Sequence, residues 1–335
     1  MEDWSSFKNV MESNNPTLNN QLEKSFVFVL NPIDVNGELP IEVAPGHFFQ
    51  KANTEHIKKI KELMNLCRTS LQVSFLPPLY EADYTKVPDT KQDSGWKCEP
   101  LSPDRWRYWV IVFDGTNAEL EYIGYAASLL CNDLELGFTV LGQTFGEAIL
   151  WHGQSLFSFF ENQAMGQPAV SITVDELREI PENYNLIKNI SPDHEHVTRA
   201  FRKFRDIRSL PRSSELVTIA LFSIIESLIT HSPKHNESAD SLGHQIKTKL
   251  PLLRKRFQRE LDYNQYFRPA SEETLWSKLY NYRSCVVHGE EPSFANDLQT
   301  LNDRNKVLEF LKEIVKLLLL LSLREPVLLT DLKKC

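Results

Sequence analysis

At 335 residues, with 41% hydrophobic content, the chain is long enough for two compact domains, each with its own core. No apolar run approaches the ~20 residues of a membrane-spanning helix. The nearest, Ile314 to Leu323, is interrupted by Lys316 and Ser322 and reads as a buried amphipathic helix. The opening Met1-Glu-Asp-Trp-Ser-Ser lacks the basic and apolar regions of a secretion signal, so a cytoplasmic protein is expected. The five cysteines (Cys67, Cys98, Cys131, Cys285 and Cys335) are scattered, with no C-x-x-C pair, which argues against a disulfide framework and a zinc site. His194 and His196 are close, and His231, His235 and His244 share a region, but no acid or thiol recurs beside them at ligand spacing. Neither metal nor cofactor is expected. The net charge of −8 is uneven: residues 190–335 hold 23 Lys+Arg against 19 Asp+Glu, and residues 1–189 hold 14 against 26. An acidic module joined to a mildly basic one suits local rather than broad contact with a polyanion in the C-terminal half.

In chain order, residues 1–22 form a polar arm. Phe26-Val-Phe-Val-Leu30 has the β-branched and aromatic content of a strand. From Asn53 to Met64 the apolar residues fall at 57, 60, 63 and 64, helical spacing with Asn53 or Thr54 as N-cap. Pro77 to Pro103, rich in Pro and Asp, reads as loop. Arg107 to Phe113 is the clearest strand, closed by the turn signal Asp114-Gly115. A helical Ala118 to Leu130 and a mixed Leu136 to Trp151 follow. The mixed α/β domain therefore spans residues 23–180, and residues 172–189 read as a linker. No Gly-rich phosphate loop and no paired carboxylates at useful spacing occur in it.

Beyond the linker the pattern is helical, and residues 190–328 form a second, all-α domain, giving an α+β chain overall. Ser191 to Arg208 places Val197, Ala200, Phe201, Phe204 and Ile207 on one face. Ser213 or Ser214 caps a broadly apolar helix that contains Glu226. Leu242 to Phe257 carries Pro251, expected to kink or restart it, and the basic run Arg254-Lys255-Arg256. Ser271 begins a fourth helix, and Asn302 or Asp303 begins the last. Five helices with short connections imply a bundle.

On the fourth helix Leu275, Leu279, Tyr282 and Val286 follow i, i+4, i+7, i+11 and face the core. Arg283 lies at the edge of that stripe. His288 stands five residues on, about 140° around an ideal helix, just before the helix-terminating Gly289. A permanent cation and a titratable imidazole at one spot suit chemistry at a phosphate. Two copies meeting across an axis would assemble the site more readily than one.

Leu221-Phe-Ser-Ile-Ile-Glu-Ser-Leu-Ile229, then Leu242 to Phe257, then Asn281-Tyr-Arg-Ser-Cys-Val-Val-His-Gly289 resemble, in that order, a HEPN domain of the Apea-like branch. The resemblance covers about residues 190–325 and stops short of the N-terminal half. It implies a helical bundle and a metal-independent ribonuclease acting as a homodimer, the kind found in antiviral abortive-infection and toxin–antitoxin systems. Carried over by position, Arg283 and His288 would be the signature pair and Glu226 a supporting acid. The residue after the arginine, often Asn, Asp or His in active members, is Ser284 here.

In that reading the RNA 2′-hydroxyl attacks the adjacent phosphorus. An imidazole, with an ordinary pKa near ~6.5, moves the proton, which contributes roughly 10²–10⁴-fold. Arg283 clamps the non-bridging oxygens, and Glu226 holds Arg283 or His288 in position. Ser284, Tyr282 and the run Arg254, Lys255 and Arg256 are the expected RNA contacts, Tyr282 also falling on the core stripe. The N-terminal half would be a sensor for a regulator or a phage-derived trigger. The competing expectation is a non-catalytic dimerisation module in which Arg283 and His288 only knit the interface.

Overall fold

The computed structural model describes residues 24–70, 79–86, 96–115, 117–142, 148–151, 169–211, 213–232 and 241–334. The expected polar arm, residues 1–22, lies outside them. The first half runs β1 (Ser25–Val29), β2 (Ile33–Asn36), β3 (Ile41–Ala44), β4 (His47–Lys51), α1 (Thr54–Ser70), β5 (Ala82–Lys86) and β6 (Trp96–Pro100). It continues through β7 (Trp109–Phe113), α2 (Leu120–Ser128), β8 (Leu136–Leu141), β9 (Ala148–Trp151) and β10 (Val170–Thr173). Helices follow: α3 (Val174–Lys188), α4 (Glu195–Asp206), α5 (Leu216–Ile229), α6 (Leu242–Arg254), α7 (Glu272–His288), α8 (Arg304–Arg324) and α9 (Pro326–Lys334). The fold is α+β.

Six strands form one sheet in the order β3-β4-β7-β1-β8-β9, with every neighbouring pair antiparallel. Every residue of the central strands β1 and β7 is buried, because both faces of the sheet are covered. On one face Phe26, Phe28, Val110, Val112 and Phe138 pack with Ile60 and Leu63 of α1 and with Tyr80 and Tyr108. On the other, Val27, Phe49, Trp109, Ile111 and Phe113 join a core that takes in residues of every helix from α2 to α9. Burial on both sides explains why these strands read as continuous apolar runs instead of alternating.

Two stretches differ from expectation. Within Pro77 to Pro103, β5 and β6 pair as an antiparallel ribbon, with Ala82 opposite Pro100 and Lys86 opposite Trp96. Residues 97–100 of this ribbon are exposed, so no apolar run announces it. The supposed linker, residues 172–189, is the end of β10 followed by α3. Thr173 and Glu176 form a reciprocal cap there, Glu176 N–H donating to Thr173 Oγ1 (3.2 Å) and Thr173 N–H to Glu176 Oε2 (2.8 Å). Leu177, Ile180, Tyr184 and Ile187 of α3 are buried. The two expected domains therefore share one continuous core across the boundary between them.

Elsewhere the local chemistry follows the sequence. Asn53 Oδ1 accepts from His56 N–H at 2.8 Å to start α1, and Ser214 Oγ accepts from Leu216 N–H at 3.3 Å at the head of α5. Asp303 Oδ1 accepts from Lys306 N–H at 3.0 Å to start α8. α6 runs through Pro251 and ends at Arg254. Residues Ile314 to Leu323 of α8 are all buried, and among the described residues no helix is long and apolar enough to cross a membrane.

Candidate functional site

α7 carries the site. It is opened by Ser271 Oγ, which accepts from Thr274 N–H at 3.2 Å, with Glu272 and Glu273 in the first turn, where the helix dipole favours negative charge. It is closed by Gly289 in the left-handed region at φ 71°. There Gly289 N–H reaches Val286 O (3.3 Å) and Glu290 N–H reaches Cys285 O (2.9 Å). Nothing lies within 4 Å of where a Cβ on Gly289 would sit, so the demand for glycine there is conformational. The stripe Leu275, Leu279, Tyr282 and Val286 is buried.

At the edge of that stripe Arg283 Nη2 lies 3.3 Å from Glu226 Oε1 of α5. The same carboxylate oxygen accepts the Tyr280 hydroxyl at 3.0 Å. Tyr280 is three residues before Arg283, hence on the same side of α7, and the Arg283 guanidinium carbon sits 5.5 Å from the centre of its ring. Burial, then the Glu226 charge, push the Tyr280 hydroxyl up to about 12, so it stays protonated and donates at neutral pH. The ring rests edge-on against Phe222 at 5.9 Å. Gly243 makes room for it on α6: a Cβ there would meet Tyr280 ring carbons at 3.2 Å. The Arg283 Nε is buried and has no hydrogen-bond partner among the described residues. A guanidinium held by one shared oxygen keeps donors for a further anion.

His288 is the last residue of α7 and is exposed. Among the described residues it has no hydrogen bond or ion pair, and within one chain it does not join the Glu226–Tyr280–Arg283 cluster. Val287 beside it is 44% exposed, and Ser284 is half-buried. The half-buried Cys285 thiol is pushed up by burial and then by Glu290, so it is a poor thiolate.

Two groups of expected RNA contacts are corrected by the structure. Tyr282 has no exposed surface; its hydroxyl lies 3.4 Å from Thr218 Oγ1 and its ring 5.4 Å from Phe294, so it is a core residue. The run Arg254, Lys255 and Arg256 lies at the end of α7 opposite His288. α6 packs antiparallel to α7, with Gly243 against Tyr280 and Arg254 Nη1 3.5 Å from Glu272 Oε2. Glu272 and His288 end a helix about 24 Å long at ~1.5 Å per residue. Arg254 is also committed to Leu261 O (3.0 Å) and to the Tyr263 ring (4.9 Å). Arg256 pairs with Glu325, its Nε 3.2 Å from Oε1, and Lys255 is exposed.

Tyr280 and Gly243 escape the sequence reading, although the i, i+3 spacing of Tyr280 and Arg283 is a signal available in advance. No family model matches the chain, and neither a curated protein nor a solved structure is detectably similar to it.

Proposed function

We propose that the chain is a HEPN-type endoribonuclease, working without a metal in the cytoplasm as the RNA-cleaving effector of an antiviral or toxin–antitoxin system. The observation that carries this reading is the disposition of α7. Arg283 is positioned by Glu226 and Tyr280 with donor capacity left over, and an exposed imidazole, without a partner among the described residues, ends the same helix. Arg283 would clamp the scissile phosphate, and His288 would take the 2′-hydroxyl proton or protonate the leaving 5′-oxygen. Glu226 and Tyr280 are positioning residues that act through Arg283.

Because His288 stands apart from the cluster within one chain, a homodimer supplies the simplest complete site. Two α7 ends facing each other would bring two guanidiniums and two imidazoles to one phosphodiester. The N-terminal half shares its second core with the bundle, which suits a sensor whose bound regulator or trigger is felt by the helices. The alternative, a non-catalytic dimerisation module, draws on one observation: Glu226 already neutralises Arg283 in part.

Expression in bacteria, followed by sequencing of cellular RNA ends, separates the two. New RNA ends and growth arrest, both relieved by His288→Ala, are expected. Unchanged RNA and unchanged growth with the wild-type chain favour the scaffold.

A further inference from the structure

A cleft of about 700 Å³ opens where α3 passes into α4, with the junction of α8 and α9 also lining it. That size is typical of small-molecule sites. Leu186, Ile190, Val197 and Leu323 supply apolar walls, and Arg324 and His194 are the basic side chains on its lining among the described residues. Arg324 is exposed and has no ion pair among the described residues. The Nδ1 of His194 is buried without a hydrogen-bond partner. Among the described residues the only acid on the lining is Glu182 of α3.

Beside the cleft, basic side chains gather. The His194 and His196 rings are 6.0 Å apart, edge to face. α9 leads from Pro326, on the cleft, to Lys333, about 10 Å further at ~1.5 Å per residue. Lys333 Nζ donates to Ser227 O at 2.7 Å, its one side-chain hydrogen bond among the described residues. Neither Lys333 nor the exposed Arg199 has an ion pair with an acid among the described residues. His196 is held below its ordinary range by burial and then by Lys333, His194 and Arg199, and Lys333 by burial and then Arg199. An anion held there would offset the charges of Lys333 and Arg199 and favour protonation of His196, so its binding would add stability.

We propose that this cleft binds a small amphipathic anion, its apolar body between Leu186, Ile190, Val197 and Leu323 and its phosphate or carboxylate head among His194, His196, Arg199 and Lys333. The site is separate from the Arg283 cluster and stands whether or not the chain cleaves RNA.

Calorimetric titration of the full chain with octyl phosphate, octanoate, inorganic phosphate and octyl glucoside tests it. The expected result is saturable binding of octyl phosphate or octanoate, at least about tenfold tighter than both inorganic phosphate and octyl glucoside. The tighter of the two amphiphiles identifies the head group. The imidazole resonances of His194 and His196 should move on binding. Arg199→Glu, on an exposed side chain, should weaken that binding about tenfold or more. Asn185→Trp, which fills the cleft from its exposed rim, should abolish it with the fold intact by circular dichroism. Equal binding of octyl phosphate and octyl glucoside, or full affinity in both variants, overturns the proposal.

Discussion

Lys316 of α8 and Arg283 of α7 are both cations held among helices, and they are held in opposite ways. Lys316 is 5% exposed and spends its donors on Leu130 O (3.0 Å), Cys131 O (3.1 Å) and Asp133 Oδ1 (3.3 Å). Asp133 also receives Arg208 Nη2 at 2.8 Å. Burial opposes ionisation of Asp133, but Lys316, Arg208 and Lys312 outweigh it and hold the carboxyl well below the usual carboxylate range. Arg283 has one carboxylate oxygen, shared with Tyr280, and an aromatic face. A buried Nε without a hydrogen bond among the described residues is not the mark by itself, since Arg205, Arg259 and Arg304 share it. What sets Arg283 apart is that partial hold together with the free imidazole that ends its helix. A saturated cation fastens the two halves of the chain together; an unsaturated one is available to a ligand.

The contrast can be broken at either end. His288→Ala should lower RNA cleavage by roughly 10²–10⁴-fold with no change in melting temperature, because the side chain is exposed and has no partner among the described residues. Lys316→Met should do the reverse. It should cost about 2 kcal/mol of stability, the order expected when the Leu130 and Cys131 carbonyls lose their buried donor, because the half-exposed Asp133 keeps Arg208; urea unfolding reads the loss, with cleavage per folded molecule retained. Loss of activity in the folded Lys316→Met protein would show that the fastening also controls the site.

The pH dependence sharpens the same point. The Asp133 carboxyl is depressed in the folded state, so its contribution is present above the unfolded value near ~4 and is lost as pH falls through the folded value. Wild-type stability should therefore fall below about pH 4 more steeply than that of Lys316→Met. Glu226→Gln keeps an acceptor for Tyr280 but removes the charge that orients Arg283. About a tenfold loss of cleavage is expected, near 1.4 kcal/mol, with KM for RNA rising more than kcat falls. The smallest effect belongs to Tyr282→Phe, which loses only a long contact to Thr218. Less than about 1 kcal/mol of stability and unchanged RNA affinity would agree with its core position.

Much of this was legible in advance where one local signal decides. Asn53, Ser271 and Asp303 stand where caps are needed, whereas Glu215 and not Ser213 or Ser214 holds the cap position of α5, and the spacing of Leu275, Leu279, Tyr282 and Val286 sets which side of α7 is buried. The placement of Arg283 at the edge of that stripe followed from the same period. Signals that conflict were misread. Pro181 inside α3 and the polar β5–β6 ribbon look like breaks and loop, although Thr173-x-x-Glu176 announces a helix start. The basic run Arg254 to Arg256 looked like an RNA contact because charge is visible in a sequence and direction is not. Only the antiparallel packing of α6 on α7 puts that run at the far end. Tyr280 was missed because its role depends on Glu226 from another helix and on the space left by Gly243.

The account stands most directly on cleavage of a labelled single-stranded RNA by the purified chain in excess EDTA, wild type against His288→Ala and Arg283→Ala. It predicts undiminished cutting by the wild type and none above background by either variant, all three remaining folded. Equal cutting by wild type and His288→Ala, or cutting that EDTA abolishes, would contradict it.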